Sequence, residues 1–81
     1  MLRAQKCYLR FSGDMPSDAK GYRSIKDARL AYLRTARELA KYGQSIEASL
    51  HFVDVFDGDY AEYPDRVLSL SDRGSIVEQQ A

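Results

Sequence analysis

Cys7 and His51 are the chain's only cysteine and only histidine, so nucleophilic or acid–base chemistry has few places to start. Nucleophilic catalysis needs an activated thiol, hydroxyl or amine beside a base. Cys7 falls on the inward side of an alternating stretch, between other core positions, where a thiol acts as a small hydrophobe. His51 falls on the outward side of a second alternating stretch. The expectation is an exposed histidine, with nothing nearby in sequence to orient it. One cysteine and one histidine also leave a zinc site short of its usual ligands. No catalytic residue, metal or cofactor is assigned, and a binding protein is expected rather than an enzyme.

Carboxylates are the next donors to weigh. Asp54, Asp57, Asp59 and Glu62 gather around Gly58, but a calcium loop of the EF-hand type needs oxygen ligands at positions 1, 3 and 5 with glycine at 6. Counting from Asp54 places Phe56 at 3 and Gly58 at 5, while counting from Asp57 places Ala61 at 5 and Glu62 at 6. Both registers fail. A phosphate cradle needs a glycine-rich turn before a helix. Gly13 and Gly21, with Pro16 between them, match neither nucleotide fingerprint.

Two charged surfaces remain. The stretch Asp57-Gly58-Asp59-Tyr60-Ala61-Glu62-Tyr63-Pro64-Asp65 sets Asp57, Asp59, Glu62 and Asp65 around Tyr60 and Tyr63. Tyrosine supplies contact area at low entropic cost and carboxylates steer a basic partner, so these six residues form the first candidate binding surface. Such a loop could also imitate the phosphates of a nucleic acid. The alternative is that both tyrosines fold back over a sheet edge and the acids merely solubilise. The second candidate is a helix flank on which Lys26, Arg34, Arg37 and Lys41 fall within about 80°, with Leu30 in their midst. That ridge suits nucleic-acid phosphates or an acidic protein. The alternative is a solvated helix face, diluted by Asp27 and Glu38.

Composition sets the frame for both. The chain has 81 residues, 44% hydrophobic and 30% charged, with zero net charge. That is one domain, residues 1–81, with a thin core and no internal disulfide. The average conceals an asymmetry: residues 1–44 hold ten Lys/Arg against four Asp/Glu, and residues 45–81 hold two against eight. Either the halves neutralise each other in the fold, or they present separate charged surfaces. No apolar run has the length of a membrane span, and residues 1–6 lack the apolar core of a signal peptide. A soluble, cytoplasmic protein is expected.

These side chains need elements to position them. Lys6 to Ser12 alternates, with Cys7, Leu9 and Phe11 on one face, and reads as a half-buried strand. Residues 13–21 carry turn chemistry and read as a loop. Ser24 is an N-cap with Asp27 in the capping-box position. The stripe Ile25, Ala28, Tyr32, Ala36, Leu39 and Ala40, with Leu33 at its margin, predicts a helix over 24–42 ended by Gly43. Ser45 to Val53 predicts a second strand, with Ile46, Ala48, Leu50 and Phe52 inward. Arg66 to Ser71 predicts a third, joined through Ser71-Asp72-Arg73-Gly74 to a fourth over Ser75 to Gln79. The expected fold is α+β, β-α-β-β-β, with one helix on one face of a small, mainly antiparallel sheet. Its other face is left for a partner or a second copy. Outward Tyr8 and Arg10 invite comparison with RNA-recognition domains, which a single helix and a missing aromatic consensus strand do not support.

Glu38-Leu39-Ala40-Lys41-Tyr42-Gly43-Gln44-Ser45-Ile46-Glu47-Ala48 and Glu62-Tyr63-Pro64-Asp65-Arg66-Val67-Leu68-Ser69-Leu70 resemble parts of small uncharacterised proteins of bacterial phages, plasmids and integrated elements. The likeness covers residues 6–78 and rests on structural motifs of cap, strand and turn, with no catalytic residue to transfer. It implies a setting, the bacterial host cytosol. It also implies a class of action, since such proteins include inhibitors of host defence, anti-CRISPR proteins among them, that bind nucleic-acid-handling complexes stoichiometrically. The expectation is therefore a protein-binding module whose acidic loop meets a basic partner. The competing expectation is a nucleic-acid-binding accessory protein using the helix flank.

Overall fold

The computed structural model describes residues 7–52 and 65–80. Cys7–Phe11 form β1, Lys20–Tyr22 form β2, Ile25–Ala40 form α1, and Ala48–Phe52, Arg66–Leu70 and Ile76–Gln80 form β3, β4 and β5. The strands make one antiparallel sheet in the order β2-β1-β3-β4-β5. The expected α+β fold is present, with one strand more than the sequence signals. The extra strand, β2, falls largely within the expected loop over 13–21, since it has only three residues, centres on Gly21 and shows no alternation. It pairs along β1, placing Tyr22 opposite Cys7.

The helix starts where its cap demands. Ser24 is extended (φ −143°, ψ 155°), and its Oγ accepts the Asp27 N–H at 3.1 Å. It ends at Gly43 (φ 74°), where the Gln44 N–H reaches back to the Leu39 carbonyl at 3.1 Å. Ala28, Tyr32 and Ala36, four residues apart, form the buried stripe. The alanines let the helix approach the sheet closely. Tyr32 fills the space between them, stacks on Phe11 with ring centroids 6.0 Å apart, and donates its hydroxyl to the Ile46 carbonyl at 2.7 Å. Ala40, expected on the inward stripe, is exposed, because the last helical turn runs past the packed stripe.

On the sheet face beneath lie Cys7, Leu9, Ala48, Leu50 and Leu68, all buried, with Phe11, Tyr22, Phe52, Leu70 and Ile76 packed around them. Alternation aims Tyr8, Arg10, Ser49, His51, Val67, Ser69, Val77 and Gln79 at the opposite face. The β4–β5 connection is tight. The Ser71 N–H donates to the Ser75 carbonyl at 2.8 Å, the Ser71 Oγ accepts the Ser75 N–H at 3.1 Å, and Gly74, at φ 80°, donates its N–H to the Ser71 carbonyl at 2.9 Å.

Candidate functional site

Cys7 is where the sequence placed it. It is fully buried, its thiol directed at the Ser24 carbonyl at 3.6 Å, and desolvation pushes its pKa up against a smaller opposing effect from Arg29. A thiol held protonated and sealed from solvent is a poor nucleophile.

His51 departs from expectation. It lies on the face opposite the helix, as alternation requires, yet only 2% of it is exposed. β3 is the central strand, and Tyr8 stands directly across from His51 in β1. Its Nε2 lies 3.0 Å from the Ser49 Oγ, which also contacts the Arg10 carbonyl at 3.4 Å. A serine touching a histidine is the beginning of nucleophilic machinery. A histidine this enclosed gives a substrate no approach in this conformation.

Of the first candidate surface, Asp57, Asp59, Tyr60, Glu62 and Tyr63 lie outside the described residues, and Asp65 lies within them. Its N–H donates to the Leu50 carbonyl at 2.7 Å, and its Oδ2 accepts the Phe52 N–H at 2.7 Å. A side-chain carboxylate thus takes a backbone carbonyl's place where β3 and β4 part. Asp65 is a fastener at the root of the acidic connection, and half-buried.

The second candidate surface is present as a face. Lys26, Arg34, Arg37 and Lys41 are all exposed, on the side of α1 away from its buried stripe. They are not equivalent. Arg37 donates from Nε and Nη2 to the Gly74 carbonyl at 3.1 and 3.0 Å, joining the helix to the β4–β5 turn. Lys41 pairs with Glu38 at 3.3 Å. Arg34 makes no side-chain hydrogen bond or ion pair among the described residues. A shallow groove of about 390 Å³ lies here, lined by Leu30, Leu33, Arg34, Arg37, Glu38 and Lys41.

One charged cluster was not anticipated. Arg29 grips Glu78 with two hydrogen bonds of 2.6 and 2.8 Å, and Arg66 approaches the same carboxylate at 3.5 Å while lying over the Phe52 ring. The Arg29 hydrogen bonds hold the Glu78 carboxyl below the usual carboxylate range. The available signal was parity: Glu78 shares a sheet face with Ile76, where a charge needs a partner. The cluster ties α1 to β4 and β5 and is structural.

Register fixes where the cationic flank stands relative to Phe52 and Asp65. Cys7, Phe52 and Arg66 mark one end of the sheet, under the start of α1, as the Cys7–Ser24 contact requires. Gly74 marks the other end, under the second half of α1, as its bonds to Arg37 require. Arg34, Arg37 and Lys41 thus sit toward the opposite end of a helix about 24 Å long from the root of the acidic connection, while Lys26 sits near that root.

Among the described residues no three His, Cys, Asp or Glu side chains gather as a metal site, and no helix is long and apolar enough to cross a membrane. Compared with protein-family models, curated proteins and solved structures, the chain matches none.

Proposed function

We propose that this is a non-enzymatic protein-binding module whose acidic, tyrosine-bearing connection between β3 and β4 meets a basic surface. The observation that carries this reading is the economy of the rest of the sheet. β3 and β4 are directly paired, with Leu50 opposite Arg66, and adjacent antiparallel strands need only a few linking residues. The β4–β5 connection makes do with Ser71 to Ser75. Residues 53–65 separate β3 from β4, and long connections in compact domains are usually functional. Those residues include Asp54, Asp57, Asp59 and Glu62, with Tyr60 and Tyr63 among them. Asp65 supports the reading differently from its neighbours: it fixes where the connection leaves the sheet.

The partner class follows from charge. A run of carboxylates interleaved with aromatic rings resembles a phosphate backbone to a basic groove, so a nucleic-acid-handling complex fits best. Stoichiometric inhibition in a bacterial host's cytosol, in the manner of anti-CRISPR proteins, fits the likeness to mobile-element proteins.

The test compares the chain with a variant carrying Asp57→Asn, Asp59→Asn and Glu62→Gln, leaving Asp65 in place. Both are used to capture partners from a bacterial lysate, with and without competing nucleic acid. The expected result is a nucleic-acid-binding protein retained by the chain, displaced by nucleic acid and lost by the variant at unchanged melting temperature. Equal capture by both chains would reject the proposal.

A further inference from the structure

We infer that the outer flank of α1 is a docking groove for an acidic peptide segment with an apolar anchor, supplied by a partner protein. This rests on the described helix alone and is independent of the acidic connection. Leu30 is 48% exposed in the middle of the cationic ridge. With Leu33 it gives the groove an apolar floor, while Arg34, Arg37 and Lys41 give it a cationic rim. A phosphodiester backbone would use the rim and gain nothing from the leucines. An acidic peptide with a leucine or phenylalanine uses both.

The rim is partly preorganised. The Gly74 carbonyl holds the Arg37 guanidinium in place, and its remaining N–H groups are left to a ligand carboxylate. Glu38, the groove's one acid, is paired with Lys41 and so repels an incoming anion less. Arg34 stands on the rim with no side-chain hydrogen bond or ion pair among the described residues. Fixed donors lower the entropic cost of binding, and an apolar contact between them sets register.

The test is a titration of the full chain with a labelled synthetic acidic peptide bearing one leucine per helical turn. The same peptide with alanine for leucine, and a labelled DNA duplex, are titrated in parallel. The leucine peptide should bind at low salt and lose about tenfold in affinity with Leu30→Ala and at least as much with Arg34→Glu. Both residues are exposed, so melting temperatures should hold, and the second variant keeps the test open if the first fails to fold. The variant neutralised at Asp57, Asp59 and Glu62 should bind the peptide as the parent does, which separates this site from the proposed function. No peptide binding at low salt, or equal binding of the leucine and alanine peptides, would overturn the inference. So would duplex binding that is tighter than peptide binding and indifferent to Leu30. Self-association of the chain abolished by Arg34→Glu would overturn the partner assignment, naming a second copy as occupant.

Discussion

Glu78 is the residue on which the packing of α1 against the far edge of the sheet turns. Its carboxylate sits on the helix-facing side of β5, and two hydrogen bonds from Arg29, with Arg66 beside them, allow it to stay charged there. Arg29 holds the folded carboxyl below its ordinary value of 4.5, whereas in the unfolded chain nothing does. On acidification the unfolded chain therefore takes up its proton first. The contribution of the cluster is fully present above the unfolded value and is lost as pH falls through the folded one. Glu78→Gln should lower stability by about 1 kcal/mol near neutrality, the partial exposure of Arg29 keeping the loss modest. It should also flatten the fall in melting temperature below the ordinary carboxylate range. A variant that tracks the parent at every pH would contradict this role.

At the scale of elements, Asp65 shows how a single side chain can end a pairing. Its Oδ2 stands in for a backbone acceptor to Phe52, so β3 and β4 diverge without orphaning that N–H. Asp65→Ala should cost about 1–2 kcal/mol in chemical denaturation, and Asp65→Asn, which keeps an acceptor oxygen, distinctly less. Equal losses would mean that charge rather than hydrogen bonding matters there. The elements themselves were legible to different degrees. The helix announced its start through Ser24, its buried face through Ala28, Tyr32 and Ala36, and its end through Gly43, because each is a local rule with a local cause. β1, β3 and β4 were legible from alternation, and β5 from the turn Ser71-Asp72-Arg73-Gly74 that leads into it. β2 was not, since Lys20, Gly21 and Tyr22 become a strand only when β1 offers an edge. His51 was assigned to the right face and the wrong environment, because alternation gives a direction and burial depends on the neighbours a strand acquires. Of the candidate sites, the cationic flank could be read from helical spacing alone. The anchoring of Arg37 on Gly74 could not, as it joins residues 37 positions apart.

At the scale of the whole molecule, register sets the cationic ridge apart from the point where the acidic connection leaves the sheet. Arg34, Arg37 and Lys41 lie toward the end of α1 remote from Phe52 and Asp65, where the acidic connection is rooted. A domain this small has a thin core, and long surface connections are tolerated where they cost the packed part little. The described register and the Arg29–Glu78 pair join residues that flank residues 53–64 in sequence.

The most direct measurement replaces residues 53–64 with a short glycine-containing turn and follows two quantities on the same preparation, the melting temperature and partner capture from a bacterial lysate. The expected result is a chain that melts within a few degrees of the parent and no longer captures the nucleic-acid-binding protein that the parent retains. A shortened chain that still retains the parent's partner would contradict it, and would move the binding surface elsewhere on the domain.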